Sequence, residues 1–250
     1  MDKKSARAAL AKTIASLLED CREARHRITG EGGLKPAFAA LARWQAARLS
    51  HTHADLLTSP RYGPAASFVF TDLYGDRDYS PRDEDLERVY RVMVRMMPAS
   101  ALQSIILALE AHALTQSLDI AMVEQFERLG RPMEISAGRY AEAYRACANA
   151  PLRRRQIELV LETGQVLDRV VRHSLVYNMI RLAHGPAHMA GLGALHDFLE
   201  RGFKAFRHMH GAAGFLQTIH DRESGIMANI LAREAPETWA PAALIQTGVA

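Results

Sequence analysis

Residues 67–98 read SFVFTDLYGDRDYSPRDEDLERVYRVMVRMMP, and this stretch decides the fold class. Just ahead of it Gly63-Pro64 opens a short helix in which Phe70 and Tyr74 stand four apart, while Phe68, Val69 and Leu73 widen the apolar surface to most of the circumference. A helix that is apolar all round belongs inside a protein. Gly75 supplies its stop, because glycine takes the left-handed conformation without a Cβ clash. Ser80-Pro81-Arg82-Asp83 restarts a helix, with Ser80 as cap, Pro81 at the first helical position and Asp83 reaching back to the cap. Leu86, Val89, Tyr90, Met93, Met96 and Met97 then follow at helical spacing as far as Pro98.

The same periodicity extends in both directions. It predicts helices over about Lys3 to Ile28, Pro36 to Leu57, Ala99 to Leu129, Ser136 to Asn149, Pro151 to His184 with a kink near His173, Ala187 to Met209, and Ala212 to Arg233. Strand-like alternation is scarce. The expectation is an all-α, single-domain multi-helix bundle of about eight to nine helices over residues 1–234, with residues 235–250 an extended or disordered tail. At 250 residues and 48% hydrophobic composition the chain can bury a substantial core. No run approaches the roughly 18 apolar residues that span a membrane.

In the residues Phe68 to Gly75, Arg77-Asp78, Arg82-Asp83 and Met97-Pro98, the chain resembles the bacterial FFLEELY-motif family of helical proteins, which have no established biochemical function. Two further blocks, His188 to Met209 and Phe215 to Glu223, extend the likeness over most of the chain beyond residue 60. Val69 and Phe70 stand where the motif reads Phe-Leu, and Thr71 stands where it has its first Glu, while Asp72 keeps an acid next door. The resemblance implies a helical fold and supplies no reaction.

The net charge of +3 invites a comparison with nucleic-acid binders. Basic residues are interleaved with acids throughout, and even the Arg153-Arg154-Arg155 cluster lacks interleaved base-stacking aromatics, so solvated helix faces are the expectation and nucleic acid is not. The two cysteines, Cys21 and Cys147, lie far apart, and the N-terminal helix carries no cleavable apolar core, which points to reduced thiols in a cytoplasmic protein. The chain carries no zinc-type Cys/His spacing, no nucleophile elbow and no dinucleotide-binding glycine signature.

Two functional readings remain. In the first, the protein is a non-enzymatic binding module for a protein partner or an apolar small ligand. Its interhelical cleft would be lined by Phe70, Tyr74, Met93, Met97, Phe203 and Phe206, with Asp72 and Gly202 at the same site and a homodimer as a further option. In the second, it is a metal- or haem-dependent helical enzyme. There His188, His220, Glu223 and Asp168 would supply a mixed imidazole and carboxylate shell of the kind that suits iron or manganese. His220 and Glu223 share one helix face, whereas Glu23 and His26 point to water. His51 and His53 diverge by about 200° and cannot share a metal, so His53 is expected to be a satisfied boundary residue. Asp168 and Asn178 are placed inward, to be paired with arginines such as Arg172, and His196 with Glu200 as an i,i+4 edge pair.

Overall fold

The computed structural model describes residues 3–31, 33–73, 80–130 and 132–245. Among these residues the chain forms twelve α-helices and one two-residue antiparallel hairpin, Thr29–Gly30 against Gly33–Leu34. The class is all-α, and the count exceeds the expected eight to nine because three long periodic stretches are broken by turns.

Helix α1 (Lys3–Ile28) runs parallel to the long α6 (Ala99–Arg128). Arg7 donates to the carbonyls of Val94 and Met97 near the start of α6, and Arg27 pairs with Glu124 near its end. Between them Ile14, Leu18 and Cys21 meet Leu102 and Leu109. Contrary to the expectation from apolar runs, α6 holds an 18-residue window of mean hydropathy 1.3, long and apolar enough by composition to cross a membrane. In the fold it is the central helix, with α1 on one side and α2 (Pro36–Thr52), α7 (Ala137–Ala146) and α8 (Ala150–Val171) on others. Arg153 donates to the Leu118 carbonyl and Gln156 to Thr115, so the register falls along α6 as it rises along α8 and the two helices are antiparallel.

The expected helix over Pro36 to Leu57 stops at Thr52, and α3 (Ala54–Thr58) starts afresh after His53. Helix α4 (Gly63–Ser67) passes into a π-helical turn, Phe68–Leu73, that buries Phe68, Val69, Phe70 and Asp72. Tyr74 lies outside the described residues. After α5 (Ser80–Met96) and α6, the expected helix from Pro151 to His184 breaks at His173 into α8 and α9 (Ser174–Leu182). The break resets the helical phase, so Asn178 and Leu182 face outward rather than inward. The expected helix from Ala187 to Met209 is α10 (His184–Met189) and α11 (Gly193–His208), reversing through Gly191 at φ +71°. Pro186 does not break α10, because a first-turn proline forfeits no intrahelical hydrogen bond.

Helix α12 (Ala213–Leu231) packs against α8, where a Cβ on Gly164 would lie 2.4 Å from a Leu216 methyl. Neither α11 nor α12 has a capping side chain of its own. Neighbouring helices supply one: Asp85 of α5 accepts from the Leu195 N–H at 3.0 Å, and Asp168 of α8 from the Ala212 N–H at 3.1 Å. Each carboxylate meets unsatisfied amides at the positive end of a helix dipole. The tail over 235–245 lies against the core, and Trp239 and Leu244 are buried with Trp44 and Tyr140.

Candidate functional site

The residues expected to line an apolar cleft are divided between separate cores. Phe70, Phe203 and Phe206 are buried in one cluster with Phe68 and Phe215, and Met97 packs on the α1/α6 cluster. Gly202 is where the close approach occurs, since a Cβ there would lie 2.8 Å from the Phe68 ring. Asp72 is 8% exposed and accepts two hydrogen bonds from Arg201, at 2.8 and 3.1 Å. Phe203, Phe206 and Gly202 pack in this core, while Phe70 also faces a neighbouring cavity.

The four expected metal ligands are likewise dispersed. Asp168 is paired with Arg172 at 2.5 Å besides holding the start of α12. His188 hydrogen-bonds Asp197, and His220 lies beside Asp221 at 3.1 Å. Glu223 faces inward, as its place in the α12 stripe predicts, but its partners are Arg48 at 2.6 Å and His53 at 3.0 Å. His196 donates to the Ile180 carbonyl, and Glu200 lies near His184, so the expected His196–Glu200 pair does not form.

Glu223 leads to a cavity of about 90 Å³ enclosed by α2, the π-helical turn, α6, α7, α8 and α12. It is larger than a single ordered water needs and suits a ligand of a few heavy atoms. One side is apolar, built from Phe70, Ile157, Leu161, Leu216 and Ile219. The other carries Gln45, Arg48, Asp119, Tyr144, Arg153 and Glu223, which arrive from five helices. His220 also lines it and is 30% exposed, so the lining reaches the surface there.

The charges on that polar side are unevenly matched. Burial pushes the Glu223 carboxyl up, but the Arg48 charge, the hydrogen bond from His53 and that from Arg48 outweigh it and hold the group at about 2. Burial likewise opposes the charge of Arg48, and Glu223 more than restores it. His53 is fully buried, donates its Nε2–H to Glu223 and stacks on Phe70 at 5.3 Å. Its Nδ1 meets no protein donor.

Arg153 has no such partner. It is 3% exposed, its guanidinium lies 4.6 Å from the centre of the Tyr144 ring, and it donates one long hydrogen bond of 3.4 Å to the Leu118 carbonyl. Its Nε meets no protein acceptor, and among the described residues no carboxylate lies within ion-pair range. Burial pushes the Asp119 carboxyl up despite a 3.0 Å hydrogen bond from Gln45 and the charge of Arg153. Burial also raises the Tyr144 phenol, with Tyr140 adding to the effect. Glu223 answers Arg48, while burial disfavours the charged form of Asp119 and no carboxylate pairs with Arg153 among the described residues.

Arg48, His53, Asp119 and Arg153 were not among the residues expected from sequence. A signal for Arg153 exists in its placement four residues before Ile157, in the apolar series that continues through Leu161 and Gly164. Asp119 similarly precedes Met122 and Phe126 at steps of three and four.

A family model described as a domain of unknown function, DUF8198, matches residues 24–237, and the chain belongs to that family. No curated protein and no solved structure matches it.

Proposed function

We propose that this member of the DUF8198 family is a cytoplasmic binding module for a short aliphatic carboxylate, taken into the cavity beneath α12. The anionic head lies against Arg153, with the Tyr144 phenol as a hydrogen-bond donor, and the chain lies on Ile157, Leu161 and Ile219. The observation that carries this reading is the Arg153 guanidinium, buried in the cavity wall without a carboxylate, beside an Arg48 that has its own in Glu223. A buried cation lacking a counter-ion is costly, and a charge-assisted bond to a carboxylate offsets that cost with geometry a guanidinium favours. The apolar wall gives the ligand its second recognition element, and the cavity volume limits it to a short chain. The two unpaired cysteines, Cys21 and Cys147, suit a reducing compartment.

The test is a thermal-denaturation series of the full chain with butyrate, acetate, inorganic phosphate and neutral butyramide. The expected order of stabilisation is butyrate above acetate, with phosphate and butyramide near zero. Equal shifts for butyrate and butyramide, or no shift with either carboxylate, contradict the proposal.

A further inference from the structure

At the other end of the molecule three histidines and an aspartate converge where α9, α10 and α11 meet. His184 and His188 lie one turn apart on α10, and His196 and Asp197 are near the start of α11. One ligand atom from each lies within 4.8 Å of those from the other three. The α10–α11 reversal brings them together, and it is pinned from outside by Arg88 donating to the Gly191 carbonyl and Asp85 accepting from the Leu195 N–H. Gly193 makes room for the histidines, since a Cβ there would come within 2.8 Å of His188 Nδ1.

The protonation pattern of His196 is what sets this cluster apart from a chance gathering. Its Nε2–H donates to the Ile180 carbonyl at 2.8 Å, which leaves Nδ1 as a bare lone pair in the neutral ring. The ring is 7% exposed, Nδ1 has no hydrogen-bond partner, and it faces the Asp197 carboxylate at 3.7 Å. With the ring neutral, two electron-pair donors face each other there. Metal-binding histidines are oriented by this arrangement, in which the second nitrogen is committed to a backbone carbonyl or a carboxylate. His184 repeats it, with Glu200 3.4 Å from its Nδ1, which leaves Nε2 for a ligand.

We propose that His184, His188, His196 and Asp197 form a site for a divalent transition metal, with zinc the best match, that clamps α10 to α11. Three imidazoles and a carboxylate are borderline ligands of the type zinc takes in tetrahedral sites. Bonds of about 2.0–2.2 Å require ligand atoms about 3.3 Å apart. Rotation of the half-exposed His184 and His188 side chains toward the fixed His196 Nδ1 supplies the contraction. Four protein ligands fill the tetrahedron, which makes the role structural.

The experiment uses the full chain stripped with a chelator and titrated with zinc against a chromophoric chelator, with cobalt as a spectroscopic stand-in. The expected result is one equivalent of zinc per chain, a tetrahedral cobalt spectrum and a raised melting temperature. A His184→Gln/His188→Asn variant alters exposed side chains only, so it folds, and it loses zinc affinity by at least about 100-fold. Glu200→Gln weakens zinc by about 10- to 100-fold, the usual cost of losing an outer-shell partner. Absence of one-equivalent binding, or binding that survives in the double variant, overturns the proposal.

Discussion

The cavity beneath α12 and the histidine cluster at the α10–α11 turn are both groups of polar residues, and they handle burial in opposite ways. In the cavity, Glu223 satisfies Arg48 and His53 from within the fold, and one cation, Arg153, is left facing the interior space. In the cluster, every member but His196 reaches solvent, and His184 and His196 are oriented by contacts leading out of it, to Glu200 and the Ile180 carbonyl. Interior charges must be paired to be tolerated, so their pairing says more about stability, and the residue left over says more about function. Near the surface water removes that constraint, and lone pairs held in a converging arrangement become the informative feature.

The contrast can be broken most sharply at Glu223. Glu223→Gln leaves Arg48 buried without its anion and is expected to cost about 3–5 kcal/mol in urea denaturation, while Arg48→Met/Glu223→Leu recovers most of it. A loss below about 1 kcal/mol in the single variant would mean that the pair is not desolvated. The same carboxylate sets an acid limit. Its pKa is depressed in the fold to about 2 from an ordinary 4.5, so its contribution is fully present above pH 4.5 and is lost as pH falls through 2. That contribution is worth about 3 kcal/mol at most. Urea midpoints between pH 6 and pH 2 would reveal it, and Glu223→Gln should flatten the curve.

A smaller effect is expected at Gly202, where the added methyl of Gly202→Ala meets the Phe68 ring and forces repacking at about 1–3 kcal/mol. Arg153→Met should leave unliganded stability unchanged or slightly raised, because it removes a buried charge that has no carboxylate of its own. At the surface cluster His188→Asn should leave metal-free stability within about 0.5 kcal/mol of wild type. Zinc affinity, measured at pH 7.5 and again at pH 6, should fall with pH because protons compete for the imidazole nitrogens. A pH-independent affinity would place the metal elsewhere.

Much of the architecture was legible in the periodic stretches. Helix α1 keeps its expected bounds, and α6 and α12 fall within a residue or two of theirs. The inward face of Glu223 followed from its place between Ile219 and Ile226. Errors gathered where a helix continues in sequence but not in space. An unbroken helix over Ala187 to Met209 carries His188 two turns away from His196, whereas the reversal at Gly191 folds α10 back on α11, so that His188 meets Asp197 and His184 takes Glu200. His184 was left at the end of the preceding helix for the same reason. The cavity was hidden differently: Arg48, Asp119 and Arg153 arrive from three helices far apart in sequence, and arginines beside other arginines read as a solvated face. Only a tertiary arrangement can desolvate Arg153 while Arg154 and Arg155 remain outward.

The most direct test of the central claim is calorimetric titration of butyrate into the full chain and into Arg153→Met at neutral pH. Saturable one-to-one binding in the wild type, reduced at least tenfold in a variant that melts no lower, is the predicted result. Equal affinity in the two proteins, or no binding to the wild type, would contradict the assignment of Arg153 as the anion-binding residue.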